Sequence, residues 1–271
     1  MEKRTLTLSL VIVAMGLGGC ATKAFLVHED RTAATGIEAG DGISIILGEH
    51  KACVQLVEEC PAWVLSEGDE QQFESCLAEA MRAERPELAI VPANEFRQAA
   101  FPKFGFQDSP HSIEALMPLL KDAEHRQRMA SMRLRYVVIL KILTERMNSK
   151  WSFFAFVPTW GFSRGEERYS TLTAEILDLK EARISGKLQV NASGRTGFVV
   201  PVFLVIPLPP VPIFAMTETK ACESLGKVTA RFITYKGPAS TEPNSLPHPN
   251  EDLVNCVVGG ERRWTYQSKC D

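Results

Sequence analysis

The sequence predicts an α+β domain: a mixed sheet with an N-terminal strand-helix-strand-helix-strand half, an antiparallel second half, and a C-terminal helix, with the helices packed on the sheet. Three observations carry this. Between residues 42 and 140, short β-branched runs alternate with segments of helical period. Between residues 151 and 190, runs separated by short glycine-containing and charged turns suit antiparallel hairpins. After residue 216 the apolar spacing becomes helical again.

In chain order, residues 42–47 (GISIIL) form a buried strand. Asp69 then caps a helix whose Phe73, Cys76, Leu77, Ala80 and Met81 recur at helical spacing and face a core. Residues 88–91 give a second strand closed by Pro92, and Asn94 caps a short helix ended near Pro102. Residues 112–132 are helical with a break around Pro118, because proline lacks the amide donor and clashes with the preceding turn. Residues 134–140 (LRYVVIL) supply the third strand.

In the second half, residues 151–157, 170–177 and 183–190 read as strands; Thr173, Glu175 and Leu177 alternate with Leu172, Ala174 and Ile176, so one face is wetter. Residues 197–216 are uncharged throughout, but Pro201, Pro207, Pro209, Pro210 and Pro212 forbid a membrane helix. The segment reads as strand, proline-rich turn and strand, buried on both faces. Thr217 or Thr219 opens a last helix with Cys222, Leu225, Val228, Phe232 and Ile233 on one stripe, ending near Gly237.

The flanks divide the chain into 1–19 as a signal peptide, 20–41 as a lipidated N-terminus and tether, 42–237 as a single domain, and 238–271 as a polar, proline-containing tail. Lys3 and Arg4 precede a short apolar run, which ends in Leu17, Gly18, Gly19 and Cys20. That run is too short to span a bilayer core of about 30 Å. It resembles a bacterial lipobox. The resemblance implies a mature chain beginning at Cys20, with diacylglycerol and N-acyl (palmitate-type) lipid on its thiol as the sole attached group and no other cofactor. Ala21, in place of a retention aspartate, favours the periplasmic face of the outer membrane in a Gram-negative host.

Six cysteines remain, and an oxidising compartment favours bridges among them. The expected pairings are Cys76 with Cys53 or Cys60, and Cys256 with Cys270. A formal net charge of −3 gives no reason to expect a nucleic-acid partner. The five histidines are scattered without metal-ligand spacing, so no metal is expected. Arg126, Arg128, Arg133 and Arg135 sit near Asp122 and Glu124 and read as a solvated helix face. Gly161, Ser163 and Gly165 match G-x-S-x-G, with Asp178 and His248 following in hydrolase order, but the segment after Ser163 reads as strand where a nucleophile elbow needs a helix. Ser224 and Lys227 match S-x-x-K without its companion motifs. Trp160 and Phe162, flanking a glycine, are either an exposed contact patch or core.

A strand and amphipathic helix, the segment LAIVPANEFRQAAFP (88–102), the helix leading into Leu134, Arg135, Tyr136, Val137 and Val138, the antiparallel strands, and a last helix carrying Ala221, Cys222, Glu223, Ser224, Leu225 and Gly226 together resemble a family of uncharacterised bacterial lipoproteins. More distantly the pattern is similar to the fold shared by the TolB amino-terminal domain, LpoB and CsgG. The resemblance implies a non-enzymatic, periplasm-facing binding, assembly or regulatory factor of the cell envelope, with a protein partner and an oligomer both compatible. Two alternatives stand beside it: a CsgG-like oligomeric outer-membrane pore, and a serine hydrolase using Ser163.

Overall fold

A computed structural model describes residues 22–38, 40–54, 65–147, 149–156, 159–203, 206–207 and 209–235, together with the backbone of 253–258 and 261–266. Its sheet contains β1 (Thr22–Arg31), β2 (Gly42–Val54), β3 (Ala89–Val91), β4 (Leu134–Arg146), β5 (Lys150–Phe156), β6 (Thr159–Asp178), β7 (Arg183–Phe203), β8 (Ile206–Pro207) and β9 (Val211–Ile213). The main order is β1-β7-β6-β4-β2-β3, with β5 added to β6 and β8 and β9 added to β7. Strand β2 runs parallel to both β3 and β4, and the β4-β6, β6-β7 and β1-β7 pairs are antiparallel. This is the mixed α+β architecture that the period change predicts.

Helices cover the sheet unevenly. On one face lie α1 (Glu67–Glu84) and α5 (Thr217–Thr234). There Phe73, Leu77 and Met81 of α1 and Leu225, Phe232 and Ile233 of α5 pack on Ile43, Val138, Leu172 and Leu188. On the other face lie α2 (Ala93–Ala100), α3 (Ile113–Lys121) and α4 (Ala123–Ser131), which bury Phe96, Leu116, Leu120 and Met129 against Ile46, Val137 and Ile139. The centre of the sheet is therefore dry on both faces, which explains the unbroken apolar runs in β2 and β4. On β6, Leu172, Ala174 and Ile176 point to the α5 side, while Thr173 and Glu175 point to the wetter face, where Glu175 pairs with Lys141 at 2.7 Å.

The helix boundaries differ in detail from the sequence expectations. Ser66, not Asp69, caps α1, its hydroxyl accepting from the Asp69 N–H at 3.1 Å. Asn94 lies inside α2, whose N-cap is Pro92. The break in 112–132 falls at Asp122, and Pro118 remains inside α3. The last helix has the predicted register, with Cys222, Leu225, Phe232 and Ile233 buried.

The tether expected over 20–41 is corrected for most of its length, because residues 22–31 form edge strand β1 on β7. Ladder bonds to β7 and the packing of Ala24 and Leu26 on the core hold them, together with a polar clasp. The Arg31 guanidinium donates to the Phe232 carbonyl at 3.0 Å and to Thr35 Oγ1 at 2.6 Å, and it lies 4.0 Å over the Phe232 ring. It also pairs with Glu29 at 3.1 Å. Arg31 thus satisfies a carbonyl at the open C-terminal end of α5 while covering its last aromatic side chain. Within the segment read as a polar, proline-containing tail, β10 (Leu253–Val258) and β11 (Glu261–Tyr266) pair antiparallel.

Candidate contact surface

Beyond residue 165, going toward the hairpin ends, β6 and β7 leave the helices behind. Their distal halves pair with β5, β8 and β9 to form an arm about 20 Å long. No described residue of 150–165 or 195–216 belongs to either hydrophobic core. Two facing glycines, Gly165 and Gly197, mark the base of the arm. A Cβ on Gly197 would sit 2.0 Å from the Arg164 carbonyl oxygen, and one on Gly165 would meet the Arg195 side chain. Only glycine permits this approach of the two backbones.

Register sorts the arm's residues onto two faces. Directly opposed residues of antiparallel strands share a face, so Phe153, Phe162 and Val200 form one row, Trp151, Arg164 and Phe198 a second, and Ala155, Trp160 and Val202 a third. Phe153 and Phe162 have ring centroids 5.6 Å apart, as do Trp160 and Phe162, and Trp151 stands edge-on to Phe198 at 6.1 Å. The Arg164 guanidinium lies 5.5 Å from the Trp151 ring. These rings face outward: Trp151 is 63% exposed, Phe153 62% and Phe162 44%. By the same register the opposite face carries Ser152, Ser163 and Val199, then Phe154, Gly161 and Pro201, and at the far end Phe156, Thr159 and Phe203.

The sequence leaves Trp160 and Phe162 open between contact patch and core; the structure places Phe162 on an exposed aromatic face, with Trp160 half-buried beside it. It adds Trp151, Phe153 and Phe198, which sequence reasoning missed. The signal was present in the alternation of Trp160 and Phe162 with Gly161 and Ser163. The expectation that 197–216 is buried on both faces holds for part of its length: Val199, Pro201 and Val202 are buried, whereas Phe198 and Val200 are half-buried on the aromatic face and Phe214 and Met216 are exposed.

The G-x-S-x-G match falls in the middle of β6. Ser163 is opposed by Ser152 on one side and Val199 on the other, so the strand-turn-helix elbow is not formed. Asp178 is fully buried and already engaged: it accepts from Arg135 at 2.7 Å and from the Lys180 and Glu181 N–H groups of the following turn. His248 lies outside the described residues. Ser224 and Lys227 sit on α5.

The cysteine pairing is also corrected. Cys76 bonds Cys222, joining α1 to α5 across 146 residues, and Cys53 is bonded separately. Neither Cys53 nor Cys60 is therefore the partner of Cys76. The physical reason is helix packing. The two helices approach closely at Gly226, where an added Cβ would lie 2.6 Å from Ala80 Cβ, and one turn away the two cysteine Cα atoms are 6.2 Å apart. Cys256 lies in β10 opposite Arg263. Leu17, Gly18, Gly19, Cys20, Cys60 and Cys270 lie outside the described residues.

A cleft of about 830 Å³ opens between α1, α2 and the 101–106 loop, lined by Glu67, Glu74, Arg82, Asn94 and Phe104 among others. Its charged floor serves the fold. Gly48 bulges out of the β2-β4 register, leaving Leu47 with backbone groups to satisfy. The Leu47 N–H donates to Glu70 at 2.9 Å, Glu70 is ion-paired with buried Arg97, and a His111 ring nitrogen lies 2.9 Å from the Leu47 carbonyl oxygen. Burial raises the carboxyl of Glu74 above the usual range, opposed by the Ala93 N–H that it accepts. Among the described residues no group of three or more His, Cys, Asp or Glu side chains is placed to hold a metal ion, and no helix is long and apolar enough to cross a membrane.

No family model and no curated protein matches the chain. Among solved structures, it is similar to the PelC dodecamer from Paraburkholderia phytofirmans, at 12% identity over 78% of this chain and 97% of that one, with a TM-score of 0.29. It is also similar to the C-terminal domain of LpoB from Salmonella enterica, at 13% identity over 60% and 86% of the two chains, with a TM-score of 0.30. At these levels neither likeness assigns a family or a function.

Proposed function

We propose that this chain is a lipid-anchored bacterial envelope protein that acts by contact and not by catalysis, as a binding, assembly or regulatory factor on the periplasmic face of a membrane. The aromatic arm carries the reading. It lies outside the two main core clusters, yet it holds five aromatic rings in fixed register on one face, three of them exposed, an arrangement suited to meeting another surface. The lipobox-like Leu17, Gly18, Gly19 and Cys20 supply the anchor in this reading, with acyl lipid on Cys20 the only attached group. A membrane anchor raises the effective concentration of the contact surface near envelope partners.

The test is twofold. Palmitate labelling is expected in the wild type and absent in Cys20→Ala, and crosslinking mass spectrometry in the native host is expected to recover a defined envelope protein. An unlabelled wild type removes the anchor, and reproducible failure to recover a partner removes the assembly role. A serine-reactive fluorophosphonate is expected to leave Ser163 unlabelled. The alternation of rings with Gly161 and Ser163 along β6 also favours a second reading, an oligomeric pore built from such hairpins. Purified protein would then form detergent-resistant rings that conduct ions, and a monomer without conductance would exclude it.

A further inference from the structure

We infer that the aromatic face of the arm lies in the headgroup region of a phospholipid leaflet, the same leaflet that the lipid on Cys20 enters. The inference rests on the anchored reading above, although the composition and register of the arm are independent of the lipobox. Residues 151–163 and 196–216 contain no charged side chain. Positive charge collects at the base of the arm: Lys150, Arg164 and Arg195 all lie within two register rows of the Gly165-Gly197 pair, Arg164 on the aromatic face and Lys150 and Arg195 on the opposite one. Arg195 is held there by donating to the Lys150 carbonyl at 3.0 Å and to Ser152 Oγ at 3.2 Å. The nearby acids are engaged: Glu166 lies 3.8 Å from Arg168, and Glu167 accepts from Tyr169 at 3.2 Å. An uncharged aromatic surface with Arg164 at its border, and two further cations across the base of the arm, matches the layering of a bilayer interface, with tryptophan rings at headgroup depth and arginine beside phosphate.

The chain's own connectivity selects the occupant. Strand β1 begins at Thr22 opposite Gly194, three residues from Gly197 at the arm's base. The Thr22 hydroxyl oxygen accepts from the Met216 N–H at 3.2 Å, which places exposed Met216 beside the start of β1. Cys20 is two residues upstream of Thr22. Two residues extend at most about 7 Å, so acyl chains on Cys20 must enter the membrane close to the base of the arm. A protein groove would not need the anchor at that point; a leaflet does. With the arm on lipid, the solvated faces of α1 to α4 remain for a protein partner.

The experiment uses the mature chain from Ala21 onward, exported behind a leader that does not direct lipidation, so that its disulfides form but no acyl chain is attached. It is mixed with vesicles of phosphatidylethanolamine and phosphatidylglycerol. Sedimentation with the vesicles and quenching of tryptophan fluorescence by bromine-labelled acyl chains are expected, with weaker binding to phosphatidylcholine alone. Trp151→Ser, Phe153→Ser and Phe162→Ser together are expected to lower the partition coefficient at least roughly a hundredfold, each buried ring contributing up to about tenfold. Arg164→Glu, on the aromatic face, is expected to weaken binding to the anionic vesicles alone, and an unchanged thermal midpoint for this exposed-site variant keeps folding out of the comparison.

Failure of the unlipidated chain to bind overturns the inference, as does equal binding by the triple variant. Release of an entrapped dye would mean that the arm spans the bilayer, which also overturns placement in one leaflet. Self-association that the triple variant abolishes, without vesicle binding, would assign the face to a second copy. If the unlipidated chain binds but the native protein carries no palmitate, the anchor is wrong and the arm stands; if the native protein is labelled but the unlipidated chain stays in solution, the reverse holds.

Discussion

Strands β6 and β7 pass through two environments, and their halves differ in what covers them more than in how apolar they are. In the proximal half, Leu172, Ala174, Ile176, Leu188 and Val190 are fully buried under α5. In the distal half, Phe162 of β6 and Trp151 and Phe153 of β5 remain in the open, while on β7 only Val199 and Val202 are buried among the described apolar side chains beyond Gly197 other than proline. Apolar patterning therefore specifies a face, and only the placement of the helices decides whether that face becomes core. The proximal half determines whether the protein folds; the distal half bears on what it meets.

This contrast is sharpened first by the buried ion pair. Arg97→Ala leaves the Glu70 carboxylate, on which the Leu47 N–H depends, without its cation in the interior. A loss of about 3–5 kcal/mol is expected in denaturant unfolding. An unchanged midpoint would show that the bulge at Gly48 needs no such support. Next is the Cys76–Cys222 bond, which closes a long loop; Cys76→Ser is expected to cost about 2–5 kcal/mol, read by denaturation with and without reductant. Gly226→Val should force α1 and α5 apart, at about 1–3 kcal/mol in thermal unfolding.

The distal half should behave oppositely. Replacing Trp151 and Phe153 with serine is expected to change stability by less than about 1 kcal/mol, since both rings are mostly exposed. A large destabilisation would make the arm part of the core and erase the distinction. The smallest effect concerns Glu74, whose carboxyl is raised mainly by burial. A raised folded-state value favours folding below the ordinary carboxyl range, and that advantage is lost as pH rises through the folded value. Glu74→Gln keeps an oxygen for the Ala93 N–H, so it should match the wild type in acid and melt slightly higher near neutrality.

What was legible in the sequence follows the same division. The β-branched runs of β2 and β4, and the stripes Phe73-Leu77-Met81 and Leu225-Phe232, encode helix-covered elements, and they appear where periodicity puts them. Strand β1 was missed because it is an edge strand rich in Lys23, His28, Glu29, Asp30 and Arg31, held by ladder bonds and by one arginine at the end of α5. The full lengths of β6 and β7 were hidden because Arg164, Gly165, Glu166 and Gly197 look like turn residues, whereas the facing glycines let pairing continue past them. The Cys76–Cys222 bond depends on two helices meeting, which spacing along the chain does not encode. In the contact surface, Trp160 and Phe162 were visible as a pair, but their exposure depends on the absence of a helix above them.

Strand β1 also sets a limit on travel. A long disordered leash between anchor and domain would let the domain sample a wide volume away from the membrane. Here, if Cys20 carries lipid, Ala21 alone separates it from a strand fastened to the sheet, and one residue spans less than about 4 Å. The folded body would sit against its bilayer in a narrow range of poses, and anything that engages it must come to that surface.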